Sequence, residues 1–371
     1  MIDRGLIERF EARLARWWQR SRLDLPLLFA LVLVALLGLA VLYSASAESP
    51  RQVFGQALRI GLGFGLLIVF ARIPPMIFRT LTPWIYVGTL LLLVVVLLLG
   101  EGRGADRWLD LGVLRFQPSE LAKLALPMMV AWVLHDRPLP PSWLDLFGNA
   151  VIILLPVLLI ARQPDLGTAL LVGASGAFVI FLAGLAWRRI ALLLALGAAA
   201  APVLWHFMHD YQRKRIYMFL NPEGDPLGDG WNIIQSKIAV GSGGLWGKGF
   251  LGSTQARLDF LPEHTTDFIF AVYSEEFGLL GVSLLIALYL FVIGRGLWIA
   301  ANARDTWSRL LAGSISMTFF VYVMVNGGMI SGLLPVVGVP MPLISYGGTS
   351  AVSLLAGFGL LQSIHSHRHL R

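Results

Sequence analysis

The sequence predicts an all-α, polytopic integral membrane protein with about ten transmembrane helices and one long extracytoplasmic loop. Composition is the first reason. Of 371 residues, 57% are hydrophobic and only 14% charged, too apolar for a soluble domain of this length. The second reason is arrangement: the apolar residues fall into about ten runs, each close to the roughly 20 residues that a helix needs to cross the hydrocarbon core. The net charge of +7 does not point to nucleic acid, because the basic residues are spread between the runs and line no single stripe. With no cysteine, disulfides, thiolate nucleophiles and cysteine metal sites are excluded.

Along the chain, residues 1–24 form an Arg-rich stretch with Trp17 and Trp18, which reads as a basic amphipathic tail on the cytoplasmic surface. The apolar run Leu25 to Tyr43 is longer than a signal-peptide core and reads as an uncleaved first span, opening a single membrane domain over 25–371. Further spans are expected at 53–71, 77–99, 119–135, 147–162, 166–186, 189–208, 267–293, 308–328 and 343–363. An even number puts both termini on one side. With the termini in the cytoplasm, the tail, Arg72, Arg79, Arg137, Arg188, Arg189, Arg295, Arg304, Arg309, Arg368 and Arg371 lie inside. Short outside loops then keep only Arg51, Arg103, Arg107, Arg115 and Arg162, as the positive-inside rule demands.

Residues 210–266 are the one long non-spanning segment, and this topology places them outside. They hold a turn-rich piece (Asn221 to Gly228), an amphipathic piece (Trp231 to Ala239) suited to an interfacial helix, and a glycine-rich turn (Gly241 to Gly249). The turn is not a nucleotide loop: ending at Gly247-Lys248, it would need glycine at 242 and Ser or Thr at 249, where Ser242 and Gly249 stand. Turn formation or a pyrophosphate contact remain as its roles.

Charges near membrane depth mark the candidate chemistry, since each costs roughly 3 kcal/mol or more at the bilayer centre and so faces a cavity or a partner. Asp267 stands where the outside loop re-enters the membrane, and reads either as a helix cap with Thr266 or as a base that activates a hydroxyl. Glu120 and Lys123 share one face of the fourth span, and Arg59 and Asp165 add charge toward the same leaflet. These four read as a cavity or as mutual structural pairs. At least one of Glu275 and Glu276 reads as a partner of another span, and His365, His367 and His369 read as a solvated tail. Pro335, Pro340 and Pro342 break the segment before the last span, leaving Ser331, Ser345 and Tyr346 in an irregular stretch that has to line a cavity.

These residues resemble the shape, elongation, division and sporulation (SEDS) glycosyltransferases over nearly the whole chain after the tail. The likeness rests on Arg107-Trp108-Leu109-Asp110-Leu111-Gly112, Phe116-Gln117-Pro118-Ser119-Glu120, Gln163-Pro164-Asp165-Leu166-Gly167-Thr168 and Ile234-Gln235-Ser236-Lys237-Ile238-Ala239. It continues in Thr266-Asp267-Phe268-Ile269-Phe270, Leu334-Pro335-Val336-Val337-Gly338-Val339-Pro340 and Ser345-Tyr346-Gly347-Gly348. The ending Gln362 to Arg368 is similar to the elongation-type members. In one departure, Thr265 stands directly before the Thr-Asp pair where the family commonly has histidine, and His264 lies one earlier.

The resemblance implies ten spans in the bacterial inner membrane and polymerisation of lipid II on its outer face during cell elongation. It also implies a class B penicillin-binding protein and the elongation machinery as partners. It makes Asp267 the catalytic residue and Arg59, Glu120, Lys123, Asp165 and Ser331 substrate-binding positions. A divalent cation, Mg²⁺ or Mn²⁺, is an expectation without a motif, because a cation held by one carboxylate and substrate phosphates leaves none. A lipid II flippase, a scaffold for the penicillin-binding protein and another lipid-linked polymerase are the rival readings.

Overall fold

A computed structural model describes residues 23–99, 108–110, 115–208, 210–221, 224, 230–258, 260–347 and 349–368. The predicted tail, most of the turn-rich piece after Asn221, His369 and Gly348 lie outside them. The expected spans are α1 (Leu25–Ala45), α2 (Pro50–Arg72), α3 (Pro75–Leu99), α4 (Pro118–Leu134), α5 (Trp143–Ala161), α6 (Leu166–Leu182) and α7 (Trp187–Phe207). After the long segment come α11 (Ile269–Ala301), α12 (Thr306–Ile330) and α13 (Thr349–His367). The long segment itself holds α8 (Asp210–Leu220), α9 (Trp231–Ser242) and α10 (Thr254–Arg257), so the amphipathic piece is helical. Leu109–Asp110 (β1) and Arg115–Phe116 (β2) make a two-residue antiparallel ladder, with Leu109 opposite Phe116.

Helix starts follow local chemistry. Proline opens the first turn of α1, α2 and α4, where its missing N–H costs nothing. Asp24, Ser142, Asp165 and Asp305 cap α1, α5, α6 and α12 by accepting from free backbone amides. Inside, α2 packs along α13, α11 along α12 and α1, and α4 and α6 close the bundle against α12. The α2–α13 approach requires glycine at 359, where a Cβ would lie 2.9 Å from the Leu67 Cα. Asp24 and Arg295, 2.8 Å apart, tie the start of α1 to α11, and the Asp24 backbone exchanges hydrogen bonds with Gln362 of α13.

Among the described residues, two breaks in the helical pattern bear on the site, and freed backbone groups at each find partners within the protein, as lipid requires. In the first, α11 breaks at Gly278, whose φ of 61° and ψ of −164° suit glycine alone. The freed carbonyls of Glu275 and Glu276 accept from the amides of Lys248 and Gly249, each at 3.0 Å. The amides of Leu279 and Leu280 in turn donate to the carbonyls of Gly244 and Leu245. The glycine-rich turn is therefore a patch on a broken helix. The amides of Lys248 and Gly249 serve carbonyls of the broken helix, which supports the turn-forming role.

Glu275, fully buried, completes the patch by accepting from Lys248 Nζ at 2.5 Å, Ser253 Oγ at 2.6 Å and both the amide and hydroxyl of Thr254. Glu276 accepts from Ser44 of α1, the partner on another span that its burial demands. This patch also carries α11 on to Ala301, well past the expected end at 293. In the second region, residues 331–347 after α12, three prolines suppress helix, so the last helix starts at Thr349 rather than 343. The expected solvated histidine tail is corrected as well: His365 and His367 continue α13, and His365 Nδ1 stands 3.6 Å from Asp24 Oδ2.

Candidate active site

Asp267 sits in the turn just before α11 and is partly exposed. The helix cap is Phe268, with no side-chain capping bond. Thr266 does not cap it either; its hydroxyl donates to Glu263 Oε2 at 2.7 Å. The turn is held instead by the irregular segment. The carbonyl of Thr265 accepts from the Tyr346 amide at 2.9 Å, that of Thr266 from Ser345 Oγ at 2.7 Å, and that of Asp267 from Asn326 Nδ2 at 2.9 Å. Three consecutive carbonyls are thus tied down. Gly338, at φ 72°, lies beneath the carboxylate, and a Cβ there would stand 3.5 Å from Asp267 Oδ2. His264 bonds within its own turn, its Nδ1 lying 2.8 Å from the Leu261 carbonyl.

Arg59 approaches the same segment from α2. Its guanidinium lies 5.0 Å from the centre of the Tyr346 ring, a cation–π distance, and its buried Nη1 has no hydrogen-bond partner among the described residues. Gln56, one helical turn earlier, donates to the Ser345 carbonyl at 3.2 Å and accepts from the Gly347 amide. The turn that carries Asp267, through Thr265 and Thr266, and the Arg59 guanidinium therefore contact the same dipeptide, Ser345-Tyr346.

Glu120 and Lys123 form a closed pair 2.7 Å apart, only 5% and 8% exposed. Ser353 donates to the second Glu120 oxygen, and the Lys123 ammonium lies 5.1 Å from the Tyr322 ring centre. The cavity beside Lys123, Tyr322 and Ser353 measures about 30 Å³, room for a water and not for a sugar. Asp165 is a helix cap: Oδ1 accepts from the Thr168 amide and Oδ2 from Gln117 Nε2. It still borders the site, because Gly167 beside it lets α6 close on the Val337 carbonyl, next to Gly338. Ser331 is not part of this cluster. It ends α12, its hydroxyl donates back to the carbonyls of Gly327 and Gly328, and it faces a largely apolar groove of about 680 Å³ between α11 and α12.

Gln56 and Asn326 were not singled out in the sequence, although both are polar and fully buried within spans. An amide at membrane depth is the signal that could have found them. Among the described residues no three His, Asp or Glu side chains gather as a metal cage. A cation at this site would have Asp267 as its protein ligand and would take its other ligands from substrate phosphates and water.

Comparison with known proteins gives the family. The family model described as cell cycle protein, covering FtsW, RodA and SpoVE, matches residues 25–370. The chain is 51% identical over 356 residues to the peptidoglycan glycosyltransferase MrdB of Escherichia coli K12, covering 95% of this chain and 96% of that one. A solved peptidoglycan synthase complex, described as coordinating polymerization and crosslinking, contains a chain that superposes with a TM-score of 0.82 at 34% identity. The match covers 94% of this chain and 99% of that one. The crystal structure of the rod shape determining protein RodA of Thermus thermophilus superposes at 0.72 with 32% identity, over 94% of this chain and 98% of that one. With the family model spanning all ten predicted membrane helices and the solved folds superposing over nearly the whole length, this chain belongs to the FtsW/RodA/SpoVE family of polytopic membrane proteins.

Proposed function

We propose that this peptidoglycan glycosyltransferase polymerises lipid II on the outer face of the bacterial inner membrane during cell elongation, with Asp267 as its general base. One observation carries the assignment of the base: the Asp267 carboxylate is partly exposed in the turn before α11, while the backbone around it is held by three hydrogen bonds. A partly exposed carboxylate on a backbone fixed in place suits proton abstraction. Both chain termini lie in the cytoplasm on this reading.

The GlcNAc 4-hydroxyl of the acceptor gives its proton to Asp267 as its oxygen bonds to the anomeric carbon of the growing chain. The bond from that carbon to the diphosphate breaks, and undecaprenyl pyrophosphate leaves. An α-linked donor and a β-linked product need one inverting displacement, hence one base and no enzyme nucleophile. Charge develops on the departing diphosphate. Arg59 suits it better than Lys123, because Arg59 keeps a buried donor without a protein partner while Lys123 is neutralised by Glu120. The Glu120–Lys123 pair and Asp165 then shape the wall of the site rather than grip phosphate. A divalent cation shared by Asp267 and the substrate phosphates would add to the charge on the Arg59 side.

The partner on this reading is a class B penicillin-binding protein of the elongation machinery, whose crosslinking complements polymerisation. Incubating the purified protein with lipid II in detergent tests the whole proposal. Glycan strands from wild type and none from a folded Asp267→Asn variant support it. Wild type that moves lipid II across vesicles without ever extending it makes the protein a flippase, and extension of another lipid-linked donor alone makes it a different polymerase.

A further inference from the structure

The proposed base sits in the turn before α11 and the proposed phosphate contact on α2, far apart in sequence, yet the Thr265-Thr266 backbone beside the base and the Arg59 guanidinium both contact Ser345-Tyr346. Ser345 is 4% exposed and does three things at once. Its hydroxyl donates to the Thr266 carbonyl and accepts from the Met341 amide, each at 2.7 Å, and its carbonyl accepts from Gln56. Tyr346 adds an amide bond to Thr265 on one side and a ring under the Arg59 guanidinium on the other. Asn326, fully buried, closes the loop by bridging the Asp267 and Val339 carbonyls from α12 with one amide group.

The segment supplying these contacts is broken by prolines and has Gly338 beside the carboxylate, and the 3.1 Å bond from the Ser345 amide to the Met341 carbonyl is a single helical-type bond, too little to set its shape. Its side-chain bonds must do so. A shift of about 1 Å in a reacting group can cost about 100-fold in rate.

We propose that Ser345, supported by Asn326 and Gln56, is a positioning residue for glycosyl transfer, setting the distance between the Asp267 carboxylate and the Arg59 guanidinium without touching substrate. The proposal rests on Asp267 and Arg59 holding the roles assigned above. It separates the two functions of the irregular segment: lining the site, and acting as the ruler between acid–base and phosphate-binding groups. Loss of the ruler lowers turnover while leaving lipid II binding in place, because the groups that bind are still present.

The test measures lipid II polymerisation by Ser345→Ala, Ser345→Thr, Asn326→Ala and Asp267→Asn in detergent, with kcat per folded molecule, KM and melting temperature for each. Ser345→Ala and Asn326→Ala are expected to lose at least tenfold in kcat per folded molecule, with KM within about threefold of wild type. Ser345→Thr keeps the hydroxyl and is expected to recover most of the loss. The proposal is overturned if both alanine variants keep kcat per folded molecule within twofold of wild type, or if the loss falls on KM. Asp267→Asn separates the two levels: if it is inactive while the alanine variants turn over normally, only the ruler fails, whereas an active Asp267→Asn removes the base on which the ruler rests.

Discussion

Asn326 Nδ2 donates to the Asp267 carbonyl at 2.9 Å and to the Val339 carbonyl at 2.7 Å, so one buried amide joins the turn before α11 to the irregular segment after α12. Two stretches outside the long helices are thereby joined into one unit, and in a membrane-spanning bundle every open backbone group has to find a partner. Asp267 is presented by that unit and not by a helix end. The chemistry of the site follows from what the unit holds and what it leaves open.

Arg59 is left with a buried donor and a stacking partner, which makes it sensitive to shape as well as charge. Both Arg59→Ala and Arg59→Lys are therefore expected to lower kcat by roughly 10–100-fold, since an ammonium keeps the charge but cannot present the planar fork. Steady-state polymerisation assays check this. Full activity in Arg59→Lys would mean that charge alone is used.

The Glu120–Lys123 pair is buried and closed, so its two members should be worth more together than apart. Glu120→Gln or Lys123→Met alone is expected to destabilise the protein by about 3 kcal/mol, because each strands a buried charge. The double variant should recover most of that stability. Denaturation of the four proteins in detergent gives the coupling, and additive losses would show that the pair is not coupled.

Glu275 gathers the loop onto the break in α11 through Lys248, Ser253 and Thr254. Glu275→Ala removes the shared acceptor and is expected to cost about 3 kcal/mol while exposing the 243–258 region to protease. Limited proteolysis with mass spectrometry reads the cleavage sites. Unchanged cleavage there would show that the backbone bonds of the glycine-rich turn hold the patch without the carboxylate.

Chelation should separate turnover from folding. Among the described residues no three His, Asp or Glu form a cage, so a cation at the site would be held mainly once substrate phosphates are present. EDTA is expected to lower polymerisation, with recovery on adding Mg²⁺, and to leave the melting temperature of the substrate-free protein unchanged. A fall in melting temperature on chelation would reveal a structural ion.

Much of this was legible in the sequence. The spans, the irregular stretch at Pro335 to Pro342 and the placing of Asp267 at a membrane entrance follow from hydropathy, proline chemistry and the cost of charge in lipid. The break at Gly278 was not, because a single glycine inside a long apolar run carries no sign that a distant turn will cap the freed groups. The fate of the glycine-rich turn was hidden for the same reason: its amides are spent on carbonyls of a helix reached only in three dimensions. Ser331 reads as a cavity residue from the prolines beside it, and in the fold it does border a groove, but the apolar one between α11 and α12, with its hydroxyl returned to α12. Asp165 and the pair Glu120–Lys123 were flagged as charges, but only the fold could tell a cap and a closed pair from an open donor such as Arg59.

The most direct measurement is lipid II polymerisation by purified wild type beside Asp267→Asn, with melting temperature recorded for both. Asn keeps the shape of the side chain and all the backbone bonds of the turn, and loses only the ability to take a proton. Wild-type strands, and at least a 100-fold loss in an Asp267→Asn protein that melts at the wild-type temperature, are the result predicted for a general base. Strands formed by Asp267→Asn at a rate near wild type would contradict the account.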